Sequence, residues 1–306
     1  MNMDDVNSIL RLLCDIETKL TEIEFSQNEN RERKRRSFSV LFVGIGNVGW
    51  KIVDSLGKKK SSKIIMESIK LRNIDGFKMV LSRKEFDVSF IIAELESEYA
   101  WELLLRVIRK LKQRSTAISL IIISPHGIKD LYDEEKVNVI NELRNVAGRV
   151  FIVKRNFSHS NQLVKNIPIE KMIIGCIETL LWLGNERISE LYLDTINLIR
   201  FFKEKKLGFL KYMEFRGLDI INHPERIIES IRVDLDNDAK VVLVSLLIYL
   251  GEEDELSFDI IRDLIANINE KLDCDWIRYN IIGSKNGYSV VKIATLYELI
   301  PNQFLS

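Results

Sequence analysis

The chain is predicted to be α/β. It should have a Rossmann-like parallel-sheet domain, a long core helix and a smaller α+β C-terminal domain, preceded by an N-terminal helical extension. Three observations predict this. An apolar run, Phe38-Ser-Val-Leu-Phe-Val, leads straight into Gly44-Ile-Gly46-Asn47-Val-Gly49. Beta-rich and amphipathic helical runs then alternate up to about residue 157. A long apolar helical stretch from Ile169 to Leu183 follows, and beyond it the elements come in a different order.

Composition sets the bounds. The 306 residues are 46% hydrophobic and 29% charged, enough for two cores. Lys plus Arg equals Asp plus Glu, 45 against 45, so no overall field draws the chain to nucleic acid, and no nucleic-acid partner is expected. Cys14, Cys176 and Cys274 are far apart, and His126, His159 and His223 are the only histidines, so no metal site is expected and the compartment reads as reducing. The apolar runs around Val241 to Leu250 and Ala117 to Ile123 are too short to span a bilayer, and acidic residues follow Met1, which predicts a soluble, cytoplasmic protein.

The elements follow in order. In residues 1–36, Val6, Ile9, Leu13, Ile16, Leu20 and Ile23 recur at alternating steps of three and four, a coiled-coil seam over residues 6–23. Two readings stand, a seam for a coiled-coil partner or a helix docked on its own domain. Arg31, Arg33, Lys34, Arg35 and Arg36 make a basic linker, either a solvated hinge or a patch for anionic lipid or nucleic acid. Residues 37–165 form the Rossmann-like domain. Its strands are expected at Phe38 to Val43, Phe77 to Leu81, Val88 to Ala93, Ile118 to Ile123 and Val150 to Val153, with helices over Trp101 to Lys112 and Asp130 to Val146. Residues 166–186 are the core helix, with Gly175 and Cys176 on buried faces.

Residues 187–306 form the C-terminal domain. Helices are expected over Thr195 to Lys205, Pro224 to Arg232 and Phe258 to Leu272, with Pro224 suited to a first turn. Strands are expected near Leu210 to Phe215 and over Val241 to Leu250, Trp276 to Ile282 and Tyr288 to Leu296. Asn286-Gly287 predicts a tight turn that joins the last two strands as a hairpin, in a small mixed sheet with helices on one face.

The glycine run is the chemical signal. Backbone approaches a phosphate closely only where side chains are missing, and the amides opening a helix then hold the anion. Gly44, Gly46, Asn47 and Gly49 are therefore candidate nucleotide contacts. A dinucleotide-dependent oxidoreductase would also carry such a turn, but it needs an acidic residue at the end of the second strand. Asp54 comes too early for that, and Glu67 lies in a segment with no clear strand signal.

The run Asp87-Val-Ser-Phe-Ile-Ile-Ala93 through Ile123-Ser124-Pro125, and the run from Lys240-Val-Val-Leu-Val-Ser to Ile293-Ala-Thr295, resemble the tubulin/FtsZ superfamily in element order and spacing over roughly Phe38 to Leu299. The resemblance implies a nucleotide-binding domain, a core helix, an activation domain, GTP as ligand, and head-to-tail stacking of subunits. It makes Gly44-Ile-Gly46-Asn47 the first nucleotide loop. It puts Asn156 and Glu170 near the base, and it makes Asp194 the second acidic position of the hydrolysis loop, where Leu191 and Ser189 replace the other polar residues.

The departure lies in the signature phosphate loop. Where the family has glycines and threonines, this chain has Glu94-Leu-Glu96-Ser97-Glu98-Tyr99-Ala100-Trp101-Glu102. Three readings stand for these acids: charges stabilising a helix N-terminus, a built-in anion formed by Glu96 and Glu98 in the phosphate position, or ligands for a divalent cation. Weak GTP binding and lost hydrolysis are expected. The expected role is a divergent, archaeal cytoskeletal or scaffold protein that self-associates or joins an FtsZ-like paralogue. The alternatives are a noncanonical active GTPase and, behind it, a dinucleotide-dependent oxidoreductase.

Overall fold

The computed structural model describes residues 38–59, 64–71, 85–94, 98–124, 134–154, 167–181, 195–232, 239–252, 256–283 and 287–299. The seam at residues 6–23, the basic linker and the run Phe77 to Leu81 lie outside the described residues. Strands β1 (Phe38–Ile45), β2 (Ile64–Leu71), β3 (Phe86–Glu94), β4 (Ser115–Ser124), β5 (Val150–Lys154), β6 (Leu207–Arg216), β7 (Ala239–Leu250), β8 (Trp276–Gly283) and β9 (Val290–Leu299) form one sheet. Its order is β2-β1-β3-β4-β5-β6-β9-β7-β8. Pairing is parallel from β1 through β3, β4 and β5 to β6, antiparallel where β9 meets β6 and β7, and parallel again between β7 and β8.

Eight helices are described: α1 (Gly46–Gly57), α2 (Glu98–Leu111), α3 (Glu134–Val146), α4 (Ile169–Leu181), α5 (Thr195–Lys203), α6 (Gly217–Asn222), α7 (Pro224–Arg232) and α8 (Phe258–Leu272). The near-continuous apolar runs of β1, β3 and β4 follow from burial on both faces. On one face Leu41, Val43, Ile91 and Ala93 share a core with Leu104, Val107 and Ile108 of α2 and Leu143 of α3. The same core continues past Phe209 and Met213 to Ile227 and Ile231 of α7 and Leu264 and Ile268 of α8. The other face carries Phe42, stacked on Phe90 at 5.8 Å, with Phe202 of α5 edge-on to Phe90 at 5.0 Å. Such pairs add about 0.5 to 1.5 kcal/mol beyond burial.

The core helix is α4. A Cβ on Gly175 would lie 2.6 Å from the Tyr212 ring, so the missing side chain is what lets α4 settle on β6. Cys176 donates from Sγ to the Lys211 carbonyl at 3.3 Å, and burial pushes its thiol pKa up. Beside it β5 and β6 pair, among the described residues, at Val150↔Leu207 and Phe151↔Gly208. The buried Arg149 braces that seam: its Nε donates to the Phe201 carbonyl at 3.1 Å, its guanidinium pairs with Glu204 and lies 3.6 Å from Glu298, and it rests on the Phe201 ring.

Three expectations change. β8 and β9 do not form a hairpin: β7 lies between them, antiparallel to β9 and parallel to β8 through α8. Asn286 lies outside the described residues, and which strands pair is decided by burial of β7, whose residues from Val241 to Ile248 are all buried. Helices also cover both faces of the C-terminal part of the sheet, α7 and α8 on one and α4 on the other. Finally, Ile64–Leu71 is a strand that the weak pattern of Ile-Ile-Met-Glu-Ser-Ile-Lys-Leu concealed.

Candidate functional site

In an open parallel sheet, ligands sit beyond the carboxyl ends of the strands where the winding direction reverses. From β1 the chain turns one way to β2, while from β3 it turns the other way to β4, so the reversal lies between β1 and β3. In that pair Ile45 is level with Ala93, which brings the glycine turn and the end of β3 together.

The turn is built by backbone proximity. Gly46 has a φ of 79°, a left-handed conformation that side-chain-bearing residues rarely adopt. Added Cβ atoms would lie 2.5 Å from the Gly49 carbonyl oxygen at Gly44, and 2.5 Å from the Ile92 carbonyl oxygen at Gly49, so α1 packs directly on β1 and β3. Further along, Trp50 Nε1 donates to the Leu71 carbonyl at 3.0 Å, and Lys59 pairs with Glu178 of α4 at 2.7 Å. The turn is thereby fixed against the sheet and the core helix at once.

Helix α1 brings no anion of its own. Its N-cap, Ile45, makes no side-chain cap, and its first turn holds no acid. The acceptor comes from the next strand: Glu94, only 8% exposed, takes the Val48 N–H on Oε2 at 3.2 Å. A carboxylate at the positive end of a helix is stabilising by about 0.3 to 1 kcal/mol, more when partly buried. Bringing a phosphate oxygen within about 4 Å of that carboxylate costs on the order of 4 kcal/mol per charge pair at an effective dielectric near 20. The residues present do not fit a nucleotide phosphate on this amide.

The predicted site residues divide as follows. Gly44 and Gly49 are buried at the turn, Gly46 is half-buried, and Asn47 is exposed in the first turn of α1. Glu170 is half-buried in the first turn of α4. Glu98 opens α2, though its side chain is outside the described set, as are Glu96, Ser97, Asn156, Leu191 and Asp194. Glu67 falls inside β2 and not at its end, where a dinucleotide site carries its acidic residue. Asp54 is bound by Lys58 and Lys70, whose hydrogen bonds lower its pKa to about 2. Among the described residues, no group of three or more His, Cys, Asp or Glu could hold a metal, and no helix is long and apolar enough to cross a membrane.

Sequence reasoning gave an internal anion on Glu96 and Glu98 as one of three readings, which lies outside the described residues, and did not single out Glu94, the residue that touches the turn. The available signal was a glutamate closing an otherwise apolar strand, Phe-Ile-Ile-Ala93-Glu94.

No protein-family model matches the chain, and no curated protein matches it in sequence. Solved structures do. A mutant FtsZ of M. jannaschii superposes with a TM-score of 0.61 at 11% identity, covering 92% of this chain and 96% of that one. CetZ1 from Haloferax volcanii, a GDP-bound monomer, gives 0.57 at 12% identity, with 85% and 93% covered. TubZ of Bacillus thuringiensis serovar israelensis, in GDP-form protofilaments, gives 0.55 at 12% identity, with 88% and 87% covered. With its strand order, its core helix and its glycine turn at the reversal point, the chain has the tubulin/FtsZ-superfamily fold.

Proposed function

We propose that this chain is an FtsZ/tubulin-like cytoskeletal or scaffold protein, impaired in GTP binding and hydrolysis, that acts by self-assembly or by association with a filament-forming paralogue. The reading rests on the acidic run Glu94 to Glu102, which has no glycine, beside a glycine turn that is kept. The Glu94 carboxylate on the Val48 amide supports the same conclusion. Assembly is supported by similar structures described as protofilaments, CetZ2 with GTPγS and TubZ with GDP. In this reading residues 37–165 are a nucleotide-type domain, 187–306 an activation-type domain, and Asn47, Asn156, Glu170 and Asp194 vestiges of a nucleotide site. A cytoplasmic location goes with such a role.

Calorimetry with GTP and magnesium tests the reading. The expected outcome is no binding tighter than micromolar. Submicromolar affinity or nucleotide carried through purification would overturn the loss of binding, and steady hydrolysis near roughly 10 per second, ordinary for enzymes, would establish an active GTPase instead.

A further inference from the structure

We propose that Glu94 is a self-supplied anion: its carboxylate takes the place of a phosphate on the amide that opens α1 and closes the β1/β3 crevice to phosphate-bearing ligands. The inference rests on the loss of nucleotide binding proposed above and supplies its cause.

The geometry on three sides points to it. From the helix, the only acceptor described for the Val48 amide is Glu94 Oε2 at 3.2 Å, and neither the N-cap nor the first turn offers an acid. From the strand, pairing of Ile45 with Ala93 sets Glu94 one residue beyond the last matched pair, level with the turn. From the turn, a Cβ on Gly46 would lie 3.0 Å from Glu94 Cβ and 3.4 Å from Oε2, so the glycine that admits a ligand's phosphate in such turns here admits a side chain. Carboxylate and phosphate present the same chemistry to an amide at a helix's positive end. Two anions cannot share it. Because Glu94 is tethered, it competes as an intramolecular ligand that no dilution removes.

A purely structural cap would show the same hydrogen bond, so the test reads anion dependence and not stability alone. The full chain, Glu94→Ala and Glu94→Gln are melted across a titration of inorganic phosphate, with chloride holding ionic strength constant. The wild type is expected to show no phosphate response. Glu94→Ala is expected to melt lower in chloride and to recover saturably in phosphate, by about 5 °C once phosphate reaches roughly a hundred times its dissociation constant. In Glu94→Gln the charge is gone but an acceptor remains, so the response is smaller yet present.

A wild type stabilised by phosphate as strongly as the variants overturns the proposal. So does a flat response in both variants, or in Glu94→Gln alone should Glu94→Ala fail to fold. Flat variants beside a wild type that does not bind GTP leave the functional reading standing and remove Glu94 as its cause.

Discussion

Gly175 shows how one missing side chain sets the position of the core helix. Alanine is favoured over glycine within a helix by about 1 kcal/mol, and on propensity alone Gly175→Ala should stabilise α4. The added Cβ would lie 2.6 to 2.7 Å from ring atoms of Tyr212, which is 2% exposed and whose hydroxyl donates to Glu214 at 3.0 Å. A ring pinned at both ends cannot swing aside. Overpacking of that kind costs about 1 to 3 kcal/mol, so packing outweighs propensity. Gly175→Ala is expected to lower the melting temperature by about 2 to 4 °C for each kcal/mol of net loss. A calorimetric melt that rises instead would mean that α4 stands further from β6 than described. Gly46 is constrained twice, by its φ of 79° and by Glu94, whose Cβ would lie 3.0 Å from an added Cβ.

At the scale of elements, the carboxyl end of α4 is held by strands far away in sequence. Ser245 of β7 donates from Oγ to the Thr179 carbonyl at 3.1 Å, and the buried Arg278 of β8 donates from Nη1 to the Leu180 carbonyl at 2.9 Å. Last-turn carbonyls have no partner within their own helix, and a cation there also meets the negative end of the dipole. Ser245→Ala is expected to cost about 1 kcal/mol and Arg278→Met about 1.5 to 3 kcal/mol, measured by urea denaturation. Equal losses would show that the Arg278 charge adds nothing to the cap. Composition made α4 legible, since Ile169 to Leu181 is apolar on nearly every face, but nothing local to it announces Ser245 or Arg278. The same limit hid the pairing of β8 and β9. Asn286-Gly287 is a local signal, whereas strand order is set by which apolar run must be buried on both faces, and β7 is that run. At the candidate site the glycines were legible because backbone geometry demands them. Glu94 was not, because its neighbour across the turn is fixed by the β1/β3 register and not by spacing along the chain.

The described residues from Ser39 to Leu299 belong to one compact unit. That unit contains the shared core of the described residues, from Leu41 to Leu299. That bears on the seam of Val6, Ile9, Leu13, Ile16, Leu20 and Ile23. If the seam binds a partner helix, removing it should leave the body's stability untouched and reduce its assembly. If it docks on the body, removal should expose apolar surface and lower the melting temperature. At 18 residues the stretch is longer than the roughly 12 to 15 below which an isolated helix is marginal, but a helix with an apolar seam draws most of its stability from packing that seam, by one contact or the other. Each apolar residue taken out of water in such a contact contributes about 1.5 to 3 kcal/mol, enough for either effect to be measurable. For a chain deleted of residues 1–30 we expect a smaller mass by light scattering together with an unchanged melt. An unchanged mass with a lower melting temperature would assign the seam to the body and leave any self-association to faces of the Ser39–Ser306 unit.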